Sequence, residues 1–421
     1  MADSDKTKPF YNSTIPSDWE VRKLVNCCSI KGEYGINAGA VEYSDELPTY
    51  IRITDINDDG YYSNVKQASV SDENSKNFIL QKGDIIFART GATVGKTYLY
   101  DEKDGILVFA GFLIRFRPDE NKLSVRHLKY FTDTKTYWDW VKTISMRSGQ
   151  PGINAEEYGS LKIPLPPLPE QKAIAHVLGL MDRAINHHNQ LIAQKELRKK
   201  WLMQNLLTGK RRLKGFSGKW KEIKISELLG KAFRYVEWND EHTYQLVSIR
   251  RRYRGLFERG DFFGHQIEVK KIKSVHHNDF LISKRQVSHG AWGIVPPEFH
   301  DWKVSDEYDC LTVKDPKKLN MQFWAWFCQN PHMTHHAFLA SNGVHIEKLI
   351  FDFDAFKKRK VLIPPSIEEQ AAIAEVLQAA DKEIQLLKTK TEKLREQKKG
   401  MMQQLLTGKK RLKIEGSEFK L

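Results

Sequence analysis

The run with the most overt chemical potential is Arg89-Thr90-Gly91-Ala92-Thr93-Val94-Gly95-Lys96-Thr97. A loop that cradles phosphate needs Gly-x-x-x-x-Gly-Lys-Ser/Thr, so that backbone N–H groups converge on the anion. Here the first glycine stands one residue too close, because the required place is Thr90. No long helix follows either: Tyr98-Leu99-Tyr100 leads to Asp101 and Gly105. Metal-assisted nuclease chemistry would need paired acids near a lysine. Asp119-Glu120-Asn121-Lys122 offers one such grouping without a second acid placed by a strand, and reads as a solvated turn after Pro118. Methyl transfer would need a glycine-rich loop and an Asn/Asp-Pro-Pro-aromatic site, which Asn330-Pro331-His332 does not supply. His332, His335 and His336 have metal-like spacing, but no Cys or acid cluster accompanies them, so they read as a helix surface. Cys27, Cys28, Cys310 and Cys328 lack a Cys-x-x-Cys spacing and read as reduced thiols. The expectation is a chain with no catalytic residues, no cofactor site and no metal site of its own.

What remains is charge. The 421 residues carry 67 Lys+Arg against 53 Asp+Glu, a net +14. A hydrophobic share of 40% fills real cores and excludes a wholly disordered chain. Apolar-rich runs such as Lys172 to Met181 fall far short of the ~20 residues of a membrane span. The polar start, Met1-Ala2-Asp3-Ser4-Asp5-Lys6, lacks the apolar core of a secretory signal, which gives a cytoplasmic reading. Basic runs recur: Arg198-Lys199-Lys200, Lys210-Arg211-Arg212, Arg250-Arg251-Arg252-Tyr253-Arg254 and Lys357-Lys358-Arg359-Lys360. They suggest a polyanionic partner, although a membrane surface would attract the same charge.

A repeat organises the chain. Glu170-Gln171-Lys172-Ala173-Ile174-Ala175-His176-Val177-Leu178 returns as Glu369-Gln370-Ala371-Ala372-Ile373-Ala374-Glu375-Val376-Leu377. The match runs without a gap to Leu206-Leu207-Thr208-Gly209-Lys210 and Leu405-Leu406-Thr407-Gly408-Lys409. Each copy follows prolines, begins with acids and ends on glycine, the signature of a capped helix. About 38 residues without proline would span roughly 57 Å. Ile373, Leu377, Ala380, Ile384, Leu387, Thr391, Leu394, Lys398, Met401 and Leu405 step by four and three, a heptad seam. Ile174, Leu178, Met181, Ile185, His188, Ile192, Lys195, Lys199, Leu202 and Leu206 occupy the same places in the first copy. If the two helices pair antiparallel about a two-fold, Ile174 meets Leu405 and His188 meets Thr391. Lys195 and Lys199 then face Ile384 and Ala380, with their methylenes on the seam and their ammonium groups snorkelling outward. The alternative packs each stripe on its own globular domain.

Before each helix lies a segment of ordinary domain size. Both segments open on tryptophan, Trp19 and Trp220, and both place an Asp before an apolar run: Asp84-Ile85-Ile86-Phe87 and Asp279-Phe280-Leu281-Ile282. Short β-branched strands dominate, with helices near Val125 to Trp140 and Met321 to Phe338. The fold class expected is α+β: two mixed α/β heads joined by two long helices in an antiparallel, pseudo-two-fold coiled coil. The segments expected are a first head at 1–163, a first helix at 164–213, a second head at 214–362, and a second helix with its tail at 363–421.

Duplicated Pro-Pro-x-x-Glu-Gln-x-x-Ile helices ending Leu-Leu-Thr-Gly-Lys, each after a Trp-opened variable domain, resemble the DNA specificity subunit of type I restriction–modification systems. The resemblance covers nearly the whole chain. It implies that each head is a target recognition domain reading one half of a split sequence in double-stranded DNA. It also implies that the helices set the separation of the halves and dock two methyltransferase subunits, which two restriction/translocase subunits can join. S-adenosylmethionine, ATP and Mg would then sit on those partners. Arg89-Thr90-Gly91 resembles the family's Arg-x-Gly segment near DNA, matched loosely by Lys284 to Trp292. Ser148-Gly149-Gln150-Pro151-Gly152-Ile153-Asn154 resembles its Ser-Gly turn, partnered by Ser341-Asn342-Gly343-Val344-His345-Ile346. Base reading needs forked or amide side chains that reach the major groove. The candidates are Arg89, Lys96, Arg147, Gln150 and Asn154 in the first head, and Arg250, Arg252, Lys284, Arg285, Gln286 and His289 in the second. The competing reading is a coiled-coil assembly adaptor without sequence-specific DNA reading.

Overall fold

The computed structural model describes residues 6–146, 150–343, 345 and 349–412. The chain divides into two units. One combines Met1–His188 with Lys390–Leu421, and the other is Asn189–Thr389. Each therefore contains a head, the first half of the helix that follows that head, and the second half of the other long helix.

The first unit is built on an antiparallel sheet in the order Cys28–Tyr34, Leu113–Pro118, Ile85–Ala88, Thr97–Leu99. Ile85, Phe87, Ile114 and Phe116 bury one face against helices Val125–Phe131 and Lys135–Ile144 through Leu128, Phe131, Tyr137 and Trp140. The other face, Ile86, Ala88 and Leu113, packs on a second sheet that holds Thr49–Ile51 and Leu107–Phe109. This is the two-residue alternation of a strand buried on both sides. The strand after Trp19, Glu20–Lys23, pairs with Lys162–Leu165, which leads into the long helix.

The second unit repeats this plan. Its sheet order is Leu229–Lys231, Tyr308–Val313, Phe280–Ser283, Trp292–Ile294. Helices Met321–Phe327 and Pro331–Leu339 cover it, and Lys221–Lys224 pairs with Lys360–Ile363. The Asp before each central strand is an anchor. Asp84 accepts from Gln81 N–H at 2.8 Å and binds Arg117 at 2.7 Å. Asp279 accepts from His276 N–H at 2.7 Å and binds Arg234 at 2.6 Å. Each carboxylate ties its own turn and carries a guanidinium, so neither is free for chemistry.

The repeat forms helices Leu168–Leu206 and Ile367–Leu405. In the first unit Ile174 and Leu178 pack with Met402 and Leu405, and Thr391 Oγ1 meets His188 Nδ1 at 3.4 Å. The antiparallel register inferred from the sequence is the one observed. Ile185, Ile373, Leu377 and Ile384 are buried, while Met181, Ile192, Leu387 and Leu394 are partly so. One detail differs. The seam lysines are paired with acids rather than simply snorkelling: Lys195 with Glu383 at 2.6 Å, Lys199 with Asp381, and Lys398 with Asp182 at 2.6 Å. Lys199 and Lys398 also lie over the rings of Trp326 and Tyr130, at 4.9 and 5.2 Å. An acid one position from the seam gives a half-buried ammonium a partner that water alone would otherwise supply.

The Glu-Gln pair at each helix start is a clamp. Gln171 accepts from Ser124 N–H at 2.9 Å and donates to the carbonyls of Lys122 and Pro166 at 3.2 and 2.9 Å. Gln370 does the same with Asn320, Lys318 and Pro364 at 2.8, 3.0 and 2.9 Å. Glu170 takes Arg411 at 2.6 Å, and Glu369 takes Arg212. Gly209 and Gly408, both at φ +69°, end the helices in a left-handed turn. A Cβ at Gly209 would press on Trp220, and one at Gly408 would collide with Pro16 and then meet Trp19. The opening tryptophan of each head is thus the seat for a helix C-terminus.

Glu369 is 1% exposed, so Arg212→Ala strands a buried carboxylate and should cost about 3 kcal/mol in denaturant unfolding. Arg411→Ala should cost less, because Arg411 is 40% exposed and water can reach Glu170 in its place. Burial pushes the His127 imidazole down to about 4. Between that value and the unfolded ~6.5 the native state binds fewer protons. Stability is then complete above ~6.5 and falls by roughly 3 kcal/mol as pH drops toward 4. His127→Leu should flatten that part of the pH–stability curve.

Candidate nucleic-acid interface

In each unit the turn after the central strand is where the sequence candidates gather. Arg89 follows Ile85–Ala88 directly. Its N–H donates to the Phe112 carbonyl at 3.0 Å, and its own carbonyl accepts from Ile153 N–H at 2.9 Å. Gly91 N–H donates to the Pro151 carbonyl at 3.1 Å, and Thr90 bridges Gly152. Arg89-Thr90-Gly91 and Gln150 to Asn154, far apart in sequence, therefore form one rim. The Arg89 guanidinium lies over the Tyr34 ring at 4.8 Å, and Tyr34 is itself 40% exposed. Stacking fixes the plane of the fork while leaving its N–H edge open. Gly91 has φ +71°, and a Cβ there would come within 3.1 Å of Gln150 Nε2, so the amide lies against the turn.

Not every candidate is equally available. Asn154 uses its Oδ1 to cap helix Ala155–Gly159, accepting from Glu157 N–H at 2.8 Å. Lys96 binds Asp58 at 2.6 Å, and that bond holds the Asp58 carboxyl below its ordinary range. Arg147, with Ser148 and Gly149, lies outside the described residues. The Gly-Lys-Thr run is a hairpin connection. Gly95 N–H donates to Ala88 O at 3.0 Å, and Thr97 opens a strand that pairs with Phe87. No cradle of converging N–H groups forms there.

The second unit uses the same frame. Lys284 N–H donates to the Glu307 carbonyl at 2.9 Å, and its carbonyl accepts from Phe351 N–H at 2.9 Å. Ile350-Phe351-Asp352 thus stands where Gly152-Ile153-Asn154 stands in the first unit, and Asp352 caps helix Phe353–Phe356 as Asn154 caps its own. The sequence had put the matching turn earlier, at Ser341 to Ile346. Ser341–Asn342 pairs with Ile350–Phe351 instead, while Val344 and Ile346 lie outside the described residues. Arg285 forks onto Glu307 through Nε at 2.5 Å and Nη2 at 3.3 Å. Gln286 is half-buried and His289 sits in the following short turn, Val287–His289.

That turn also captures the basic loop. Arg252 and Tyr253 N–H groups donate to the carbonyls of His289 and Gly290 at 2.8 and 2.9 Å. Both residues are left-handed, at φ +60° and +56°, a strained state for large side chains that only surrounding structure sustains. Tyr253 stacks on Trp292 and bonds Thr334 Oγ1 at 2.6 Å. Arg250 lies over the Phe257 ring at 4.4 Å. Arg250 and Arg252 are thereby brought to the same rim as Lys284 to His289. Sequence motifs mark none of Tyr34, Phe112 and Glu307, and mark Tyr253 only as a member of its basic run, since each matters through a partner distant in the chain.

His332, His335 and His336 lie on helix Pro331–Leu339, where burial, then Arg359 and the other two histidines, lower the His336 pKa. Among the described residues no group of three or more His, Cys, Asp or Glu is placed to hold a metal, and no helix is long and apolar enough to cross a membrane. Burial raises the thiol of Cys28 to about 12.

The model of the type I restriction modification DNA specificity domain matches residues 16–196 and again 217–396. The chain belongs to that family. Two specificity subunits of Methanocaldococcus jannaschii are similar to it over nearly the whole chain. The provisionally named type I restriction enzyme MjaX specificity subunit is 28% identical, with 95% of each chain covered. The type I restriction enzyme MjaVIII specificity subunit is 25% identical, with 96% of each covered. The fold is that of the type I restriction–modification S subunit from M. genitalium, with a TM-score of 0.57 at 15% identity over 92% of this chain and 96% of that one. A chain from a study of type I system assembly gives 0.54 at 15% identity, over 94% and 99%. The duplicated family match coincides with the duplicated head-and-helix seen in the two units. As a DNA specificity domain protein, the chain recognises DNA sequence, and the adaptor reading is not favoured.

One substitution tests the rim. A Cβ on Gly290, at φ +70°, would meet the Tyr253 ring at 2.8 Å. Gly290→Ala should unseat the Arg250–Arg254 turn, cost about 1–3 kcal/mol of stability, and weaken DNA binding. Thermal unfolding and a salt-matched binding titration would check both effects.

Proposed function

We propose that each head reads one half of a bipartite, non-palindromic DNA sequence, and that the two long helices fix the spacing between the halves and dock the methyltransferase subunits. Support comes from one observation above all: the same strand-turn frame is built twice, and the side chains on it differ, Arg89 over Tyr34 in one and Arg285 on Glu307 in the other. Like frames with unlike side chains should address the same groove and ask for different bases. The half-sites should lie about one helical turn apart, roughly 34 Å, so that both face the same side of the duplex.

In this reading segments 1–163 and 214–362 are the target recognition domains, and 164–213 and 363–421 carry the helices. Arg89, Gln150, Asn154, Arg250, Arg252, Lys284, Arg285, Gln286 and His289 are reader candidates, with Lys96 and Arg147. Lys210 and Arg211, with the run Lys357 to Lys360, supply phosphate contacts, affinity and salt dependence common to all sequences, while Arg212 of the first run is held by Glu369. The chain performs no catalysis. Methylation, with S-adenosylmethionine, belongs to two methyltransferase subunits. Cleavage, with ATP and Mg, belongs to two restriction/translocase subunits where they are present. Such a complex works in the cytoplasm.

Methylome sequencing of cells carrying the intact system tests the reading. A split, asymmetric motif is expected, and a continuous palindrome would overturn it. In the same assay Arg89→Ala and Arg285→Ala should each relax one base position in opposite halves. Lys358→Ala should instead lower binding to every sequence and flatten its salt slope by about one unit.

A further inference from the structure

The two turns share one frame, and a single position in it differs in kind. Phe112 and Glu307 each accept the N–H of the residue after the central strand, Arg89 or Lys284, at 3.0 and 2.9 Å. Each directly precedes the neighbouring strand, whose first residue pairs with Ala88 or Ser283. Phe112 and Glu307 are therefore structural equivalents. In the second unit that side chain is a carboxylate gripping Arg285. In the first it is a phenyl ring, 57% exposed, tied through its carbonyl to the residue that stacks on Tyr34.

The backbone around that ring is fixed. Gly111 N–H donates to Ile36 O and Leu113 N–H to Ala110 O, both at 2.8 Å. Leu113 and Ile114 beyond it are fully buried, so the ring is held out of its own core on a rigid turn. A large apolar side chain, exposed on the residue whose carbonyl holds the Arg89 N–H, matches one major-groove feature that polar groups cannot read. Thymine is the only base there with an apolar group, its C5-methyl.

We propose that Phe112 is a specificity-determining residue whose ring packs on the C5-methyl of a thymine in the half-site read by the first head. The assignment rests on the reading of the heads as DNA readers, and its test separates the two. The full complex with its methyltransferase subunits would be titrated with duplexes of its methylome-defined target. In these duplexes each thymine of the first half-site, on either strand, is replaced singly by deoxyuridine. One replacement should weaken the wild-type complex about three- to tenfold. Phe112→Ala should be weaker on the normal target by a similar factor and indifferent to that replacement. The exposure of the ring predicts unchanged thermal unfolding for Phe112→Ala, and Phe112→Leu should keep part of the methyl sensitivity. Indifference of the wild type to every deoxyuridine, or equal sensitivity in wild type and Phe112→Ala, would overturn the assignment. Arg89→Ala in the same titration reports on the broader reading. If it relaxes the half-site while deoxyuridine has no effect, only the Phe112 contact fails. If it leaves selectivity intact, the reading of this rim as the reader fails first.

Discussion

A carboxylate buried at the start of a helix must find a cation, and this requirement shapes both units. Glu170 and Glu369 are 3% and 1% exposed. Each lies at the positive end of its helix, but the dipole of one terminus is worth under about 1 kcal/mol and does not replace the lost water. The guanidinium comes from just beyond the end of the other helix, Arg411 for Glu170 and Arg212 for Glu369. Satisfying one charge therefore draws the C-terminal end of one long helix to the N-terminal end of the other. That same closure seats Trp19 against Gly408 and Trp220 against Gly209, and completes the cores that contain Leu405, Leu406, Leu206 and Leu207.

The neighbouring glutamines do the complementary work. Gln171 and Gln370 each spend their whole amide on backbone groups of their own unit. Glu joins the helix to a distant segment and Gln joins it to the adjacent head. The seam then needs only moderate apolarity, since Lys199 and Lys398 are carried by Asp381 and Asp182 and by an aromatic ring of each head. Two polar residues per repeat fix register more sharply than leucines would, because a slip of one heptad leaves buried charges unpaired.

On this scaffold the rims are free to differ. Backbone hydrogen bonds set the position of Arg89 and Lys284, and backbone bonds do not depend on side-chain type. The side chains standing on the frame can therefore change without disturbing the sheet. Phe112 and Glu307 show how far: an apolar ring and a carboxylate occupy equivalent positions, and the strands on either side keep their pairing.

The sequence by itself determined the duplication and the two helices with their seams, because a heptad and a cap are local patterns written in contiguous residues, whereas the register between the helices was one conditional pairing that the contacts of Ile174 with Leu405 and His188 with Thr391 decide. It also named Arg89, Gln150, Lys284 and Arg285 by residue type and turn context. It pointed to Lys96 and Asn154 equally, and there tertiary contacts spoke against simple availability, one side chain being bound to Asp58 and the other capping a helix. Only the tertiary structure decided which segments meet. The bonds that join Arg89 to Ile153, and His289 to Arg252, run between residues tens of positions apart, and backbone groups carry no sequence signal. Nor could composition show that Tyr34 lies under an arginine or that Glu307 holds one. Those placements follow from sheet order, which is set by how two layers bury their apolar faces and not by any single stretch of chain.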